Sequence, residues 1–268
     1  MITTRTKLFA ILWLAGMAGV LSILLIDLSA ILANLPATAG SKMPFHPLVI
    51  KLLSVVQTGA LLSVAIFIGV QLTPSLGLSA PAAEALATRN SFAANGDGFI
   101  AALKPQVVPG LIAGFIGGVA ILSTWLLFRP MLPPLFVLRA ENLNSSMPVL
   151  TRLLYGGIAE ELLLRWGLLT LLAWAGWRIF QRGRGTPRPI YFVSANLISS
   201  VVFGIAHLPL VIALGVDFTL PIVIFIVLAN SLLGLIAGYL YWKKGLESAI
   251  IAHMSTHVVL IAAIRLTM

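Results

Sequence analysis

The 268-residue chain contains no cysteine and few charged residues. The absence of thiols excludes disulfide bonds, a cysteine nucleophile and a thiolate metal site. Charged residues make up 9% of the chain, whereas soluble domains carry about 25%. The composition therefore does not fit a soluble globular domain.

Apolar residues dominate what is present. They make up 59% of the chain, and the mean hydropathy is +1.05. Apolar runs of about 20 residues recur, which is the length that a membrane-spanning helix needs. We predict an all-α fold, a polytopic transmembrane helical bundle of about seven to eight spans, with residues 1–268 forming a single membrane domain.

Seven apolar runs define the predicted spans. They cover about residues 8–26, 47–72, 107–128, 149–180, 190–214, 220–241 and 246–266. The first run is longer than the apolar core of a signal peptide, so we expect an uncleaved span although Ala37-Thr38-Ala39 resembles a cleavage site. Residues 73–105 form a long connection, with a short helix predicted at 81–87 and a turn at Asn95-Gly96-Asp97-Gly98. This connection is either a lid or a helix on the lipid interface.

Basic residues predict the topology. The formal net charge is +9, and four arginines lie in or beside the loop at residues 181–189. This clustering beside spans indicates a cytoplasmic loop and contact with anionic lipid, not nucleic acid. Counting spans places Arg129, Arg139 and Arg152 on the opposite side, which a further span or re-entrant segment within 73–148 would explain. The predicted location is a multi-pass integral membrane protein, in the inner membrane if the source is bacterial.

A charged cluster interrupts the fourth predicted span. Glu160, Glu161 and Arg165 lie within six positions of an apolar run, although each charge costs about 2.5–3.5 kcal/mol at the bilayer centre. At about 100° per residue, Glu161 and Arg165 share a helix face and can form an ion pair. Glu160 lies about 140° from Arg165 on the same arithmetic. We therefore interpret Glu161 as structurally neutralised and Glu160 as available for chemistry.

Three of the four histidines lie within the C-terminal spans. His207 belongs to a stripe with Asn196, Ser200 and Phe203, and this polar stripe predicts a face turned towards the protein interior. His253 and His257 follow i, i+4 spacing, which places both imidazoles on one face of the last span. A lone histidine in such a position is more often a structural hydrogen-bonding group, so their convergence with Glu160 is the informative prediction.

Together these residues favour a hydrolase that activates water. A carboxylate buried among apolar side chains can take and return a proton near neutral pH, and imidazoles can hold a water molecule or stabilise an oxyanion. Two chemistries remain open. Either His207 with His253 and His257 binds zinc, or Glu160 and His207 polarise the water without a metal. The sequence offers no carboxylate partner that would orient histidine ligands, which favours the metal-free alternative.

Three motifs resemble those of the CPBP family of membrane proteins. They are Glu160-Glu161-x-x-x-Arg165, Phe203-x-x-x-His207 and His253-x-x-x-His257. This family includes the CAAX prenyl endopeptidases of the Ras-converting type and the Abi proteins of bacteriocin processing and self-immunity. The resemblance covers about residues 150–260, which are the predicted catalytic helices, whereas residues 1–149 match only as apolar spans.

The resemblance implies an intramembrane endopeptidase that cleaves a membrane protein or lipidated peptide of CAAX type. It assigns Glu160 as the base, His207 as a holder of the water or metal, and His253 as an oxyanion donor. Glu161, Arg165 and Phe203 are supporting residues. His257 stands where the prenyl-protein protease has Asn, so CAAX specificity does not follow directly. Two other classes remain open: a non-enzymatic immunity or scaffold protein, and a proton-coupled transporter built on a Glu/His relay.

Overall fold

The computed structural model describes residues 3–28, 46–88 and 92–267, and these residues contain helices but no β-strand. Short 3-10 turns follow the first helix at Ser22–Leu25 and the fourth at Arg129–Met131. The helices in chain order are α1 (Thr4–Leu21), α2 (Pro47–Leu76), α3 (Pro81–Thr88), α4 (Phe92–Phe128), α5 (Pro134–Ser146), α6 (residues 149–180), α7 (Pro189–Ala206), α8 (Pro209–Ala213), α9 (Leu220–Lys243) and α10 (Leu246–Thr267).

The predicted helical membrane bundle is confirmed. In the described ranges, six helical stretches are long and apolar enough to cross a membrane, and α6 packs among them with its charged motif. Many leucine, isoleucine, valine and phenylalanine side chains on these helices are exposed, as contact with lipid requires. The six stretches are Thr4–Leu25, Pro47–Leu76, Asp97–Met131, Pro189–Ala213, Leu220–Lys243 and Leu246–Leu266.

The segment between residues 73 and 148 differs from the prediction in one respect. The short helix α3 is present, but the predicted turn at Asn95–Gly98 is wrong, because these residues lie within α4. Membrane helices tolerate glycine and proline better than soluble helices do, and α4 also contains Pro105 and Pro109. In the described part of this segment, α4 is the helix long enough to span, and α5 has 13 residues. The Ala37–Ala39 stretch lies outside the described residues.

Helix α6 is not the regular α-helix that the sequence predicted. Its residues Arg152–Glu160 and Leu162–Leu169 are wound as π-helix, with i→i+5 hydrogen bonding, before Thr170–Phe180 returns to α-helix. Wider turns change the angle between successive side chains, so the contacts of Glu160 and Glu161 are taken from the structure rather than from the angle of a regular α-helix. Such winding is frequent at functional sites.

Small residues allow α6 to lie against the N-terminal helices. A Cβ atom on Gly19 of α1 would lie 2.5 Å from the backbone oxygen of Leu154. A Cβ atom on Gly69 of α2 would overlap the indole of Trp166, which is fully buried. The helices carrying the N-terminal spans therefore approach the motif helix closely on two sides.

Three glycines spaced four residues apart form a packing surface on α4. Any Cβ atom at Gly110, Gly114 or Gly118 would meet α10 at closer than ordinary van der Waals distance. The atoms met belong to Ile251, Ala252 and Val259, among others. This close approach fixes the position of α10 along the length that carries two of the histidines.

A half-buried carboxylate fixes the start of α10. Glu247 Oε1 accepts hydrogen bonds from the backbone N–H groups of Ala82 and Ala83, each at 2.9 Å. Its Oε2 accepts from Gln106 Nε2 at 3.2 Å, and Gln106 Oε1 in turn accepts from the Ser248 N–H at 3.0 Å. The carboxylate therefore joins α3, α4 and α10, so the histidine helix is held at its first turn.

Candidate functional site

The centre of the site is the carboxylate of Glu161, which is 0% exposed. Its Oε1 lies 3.1 Å from Arg165 Nη1 and 2.7 Å from His253 Nδ1. The predicted Glu161–Arg165 ion pair is therefore present, and it is joined by a histidine from α10. One buried oxygen thus couples the two helices that carry the first and third motifs.

The Arg165 guanidinium is held from two further directions. Its Nη2 donates to the backbone oxygen of Gly234 on α9 at 3.1 Å. Its central carbon lies 4.9 Å from the ring centroid of Phe203 on α7, which is a cation–π contact. Because a buried cation needs both charge compensation and hydrogen bonding, Arg165 ties α6, α7 and α9 together behind the site.

Glu160 faces the same imidazole from the other side. Its Oε2 lies 3.8 Å from His253 Nε2, and its side chain is 17% exposed, whereas that of Glu161 is fully buried. The two consecutive glutamates therefore approach the two nitrogens of a single histidine. The sequence predicted that Glu160 points away from Arg165 and converges with the histidines. In the described ranges Glu160 makes no ion pair with Arg165, and it approaches His253.

Hydrogen bonding sets the tautomer of two histidines. A carboxylate only accepts, so Nδ1 of His253 donates to Glu161. A carbonyl oxygen also only accepts, so Nδ1 of His207 donates to the backbone oxygen of Phe203 at 2.8 Å. In the neutral rings Nε2 then carries a lone pair, and both histidines are acceptors at that nitrogen.

His207 lies at the end of α7, next to the predicted break before Pro209. The Phe203 ring stands edge-on to His207 at 4.8 Å and to His253 at 5.8 Å, so it lies between the two imidazoles. In the described part of the chain, His207 makes no ion pair or hydrogen bond with Glu160. The structure thus brings Glu160 and His253 together directly, and a water-bridged contact to His207 stays a prediction.

His257 extends the row of polar groups along α10. Its ring stacks on His253 with centroids 5.0 Å apart. A Cβ atom on Gly156 would lie 2.5 Å from His257 Nε2 and 3.5 Å from His253 Nε2, so only glycine leaves room for these rings. Among the described residues, the buried Nδ1 of His257 has no hydrogen-bond partner. The sequence gave no sign of this role for Gly156, because the rings that occupy the space lie on another helix.

A three-histidine zinc site does not fit the arrangement. In the described ranges, no three His, Asp or Glu side chains are grouped as metal ligands. One premise of the sequence argument was nevertheless wrong, because Glu161 is a carboxylate partner that orients His253. In the described ranges His207, His253 and His257 are not grouped as metal ligands, although His253 has an orienting carboxylate.

Sequence reasoning also gave no role to Arg152, which it used only for topology. Arg152 lies two turns before Glu160 on α6 and is 8% exposed. Its Nη2 donates to the backbone oxygen and to Oδ1 of Asn144, and it interacts electrostatically with His257. Its Nε is buried and has no hydrogen-bond partner in the described residues. An arginine in the first turn of an apolar run was the signal available in the sequence.

These features define an all-helical membrane protein with a buried glutamate and histidine site shared by α6, α7 and α10. Residues 142–259 match the family model described as Type II CAAX prenyl endopeptidase Rce1-like. The match spans a little under half of the chain and includes all three motifs. These residues are therefore similar to an Rce1-like domain, which agrees with the resemblance drawn from the three motifs. No curated protein and no solved structure matches the chain.

The contacts predict different effects of removing the two carboxylate charges on stability. Glu161→Gln leaves Arg165 buried without its counter-charge, and breaking a buried pair typically costs about 3–5 kcal/mol. Glu160→Gln removes a partly exposed group that makes no ion pair with an arginine, so unfolding should change little. Thermal unfolding of both variants in the same detergent measures this. A larger loss of stability for Glu160→Gln than for Glu161→Gln would reverse the two roles.

Proposed function

We propose that this protein is an intramembrane endopeptidase that hydrolyses a peptide bond in a membrane-associated substrate, with water activated by Glu160. The observation that carries the proposal is the facing pair of Glu160 Oε2 and His253 Nε2, which are 3.8 Å apart within the residues that match the Rce1-like family model. One group can accept a proton, the other can accept a hydrogen bond, and both belong to a helical membrane bundle.

The separation of these two atoms suits a bridging water molecule. It is too long for a direct hydrogen bond, whereas a water molecule can make two hydrogen bonds of about 2.8 Å across such a gap. The water donates one hydrogen to Glu160 and the other to Nε2 of His253. Its oxygen lone pair is then free to attack, which is the geometry that general-base catalysis needs.

The reaction balances with Glu160 as the single proton carrier. The water oxygen bonds to the carbonyl carbon of the substrate while its proton passes to the Glu160 carboxylate, and the carbonyl oxygen becomes an oxyanion. The carbon–nitrogen bond then breaks as Glu160 gives the proton to the leaving nitrogen. The products are a carboxylic acid and an amine. Glu160 is ionised again once it has protonated the leaving nitrogen, and the product acid then loses its own proton to solvent.

The oxyanion needs a hydrogen-bond donor, and His257 is better placed for this role than His253. Neutral His253 uses its one N–H group on Glu161, so its other nitrogen has no proton to donate. The contacts described for His257 leave its Nδ1 free, so its ring can present an N–H group to a neighbouring oxygen. This assignment gives His257 the oxyanion role that the resemblance implies for His253.

The supporting residues position this apparatus. Glu161 holds His253 in one tautomer, and Arg165 holds Glu161. The Phe203 ring contacts Arg165, His207 and His253, so it separates the imidazoles and covers the guanidinium. His207, whose Nδ1 is engaged by the Phe203 oxygen, has Nε2 as an acceptor and is the proposed second holder of the water.

The test is proteolysis by purified protein in liposomes, with a library of fluorogenic peptides carrying either a prenylated cysteine or an apolar helix. We expect cleavage by the parent protein and a loss of at least about 100-fold in Glu160→Gln, because general-base catalysis contributes about that much or more. Asp97→Asn is the matched control, since this acid is exposed near the start of α4. Cleavage that persists in Glu160→Gln would show that Glu160 is not the base, and no cleavage of any peptide would favour the non-enzymatic alternative.

The metal-free chemistry makes a separate prediction. Because the described side chains do not group three ligands, we expect purified active protein to contain much less than one zinc per chain. Incubation with a chelator should leave the cleavage rate unchanged. Elemental analysis and rates before and after chelation measure this. Stoichiometric zinc, with activity lost on its removal and regained on its return, would show that the metal mechanism is correct.

A further inference from the structure

A groove lies on the outer surface of the bundle, where α4 ends and α5 begins. Its volume is about 560 Å³, within the range of about 300–1,000 Å³ that is usual for small-molecule sites. Its apolar walls include Leu126 of α4 and Val137 and Leu138 of α5, and two charged side chains, Arg129 and Glu141, line it as well. None of the residues that line this groove belongs to the glutamate and histidine site.

The groove lies at the level of the lipid headgroups. Arg129 is two residues before the end of the span Asp97–Met131, and α5, with 13 residues, is too short to cross the bilayer. On the last turn of α4, Leu126 and Leu127 are each 68% exposed, as side chains in contact with acyl chains are. An amphiphile whose chains lie along this part of α4 therefore has its polar group beside Arg129.

The wall formed by α5 is fixed from its opposite side. Phe136 is 2% exposed, and its ring meets that of Phe225 on α9 edge-on at 6.3 Å. Arg139 donates to the backbone oxygens of Leu214 and Gly215, at 2.6 and 2.9 Å. Because these contacts hold α5 against α9 and the loop before it, the groove is already formed without a ligand.

Two opposite charges define the polar group that fits the groove. Nη2 of Arg129 lies 3.2 Å from Oε1 of Glu141, and the two side chains are 54% and 44% exposed. An exposed ion pair contributes little to stability, so a ligand can separate it at small cost. A phosphate can bind the guanidinium, and a primary ammonium can donate to the carboxylate. An anionic headgroup complements only one of these charges, and the quaternary ammonium of choline has no N–H group to donate.

We propose that this groove binds one phospholipid with an ethanolamine headgroup. The phosphate lies on Arg129, the ammonium lies on Glu141, and the acyl chains follow the exposed leucines at the end of α4. The bound lipid joins α4 to α5, and it stabilises the folded protein because it binds the native state. This site is separate from the proposed catalytic site, and its existence does not depend on peptide cleavage.

Titration of the purified protein with lipids tests the headgroup. The protein in detergent receives dioleoyl phosphatidylethanolamine, phosphatidylcholine or phosphatidylglycerol, and native mass spectrometry measures the dissociation constant of the first bound lipid. We expect the ethanolamine lipid to bind about tenfold more tightly than the other two, because only its headgroup meets both charges. Equal affinity for the ethanolamine and choline lipids, or a preference for the glycerol lipid, overturns the proposal. Displacement of the lipid by an equal concentration of glycerophosphoethanolamine also overturns it, because a soluble compound would then be the ligand.

Variants locate the lipid in the groove. Glu141→Gln should reduce the preference for ethanolamine over choline to about unity, and Glu141→Asp should keep it, because only the second variant retains a carboxylate. Arg129→Gln should weaken the ethanolamine and choline lipids alike, since both contain the phosphate. Asp217→Asn and Arg265→Gln are the matched controls, because both side chains are exposed and lie outside the groove. A preference that survives in Glu141→Gln, or one that either control removes, overturns the assignment.

Thermal unfolding gives a second measurement of the same site. A ligand that binds the native state raises the Tm, so the ethanolamine lipid should raise the Tm of the parent protein and of Asp217→Asn more than that of Glu141→Gln. The Tm without added lipid shows whether each variant folds, and if Glu141→Gln does not fold, Arg129→Gln decides. An equal rise in Tm for the parent protein and the groove variants contradicts the proposal.

Discussion

The buried carboxylate of Glu161 is the interaction on which the rest of the site depends. One oxygen of this group contacts both a guanidinium on its own helix and an imidazole on α10. A charge at this depth is costly, so the ion pair and the hydrogen bond are needed together to keep it ionised. Through Arg165 the same network reaches α9 and the aromatic ring of α7. Four helices are therefore oriented around one negative charge.

The two adjacent glutamates, Glu160 and Glu161, lie in different surroundings. Glu161 is completely enclosed and has strong partners, whereas Glu160 is partly exposed and faces one imidazole nitrogen at 3.8 Å. His253 lies between the two glutamates. Its Nδ1 donates to Glu161, so its Nε2 is the acceptor that faces Glu160. A substitution of Glu161 would therefore also affect Glu160, because it would change the tautomer of His253.

Much of the fold and part of the site could be predicted from the sequence. Apolar runs identify spans because lipid offers backbone groups no hydrogen bonds, so most helix ends fall close to the ends of the runs. The start of α4 is an exception, because this helix begins at Phe92 and the predicted span began at about residue 107. The Glu161–Arg165 pair and the shared face of His253 and His257 follow from i, i+4 spacing. The approach of Glu160 to His253 was also predicted from their positions on separate spans. The π-helical winding of α6 was not, because no residue pattern in the sequence indicates it. The role of Gly156 depends on a ring from another helix, which local spacing does not contain.

The close approach of α6 to α1 and α2 bears on how separable the residues that match the Rce1-like model are. The family match begins at residue 142, yet the backbone of Leu154 lies against Gly19 and the indole of Trp166 fills the space beside Gly69. The Thr151 hydroxyl also donates to the backbone oxygen of Ser22 at 2.8 Å. A transplant of the matched residues alone into another membrane protein would leave these surfaces facing lipid. The residues that match the family model are thus fewer than the residues that would have to be transferred together to keep this packing.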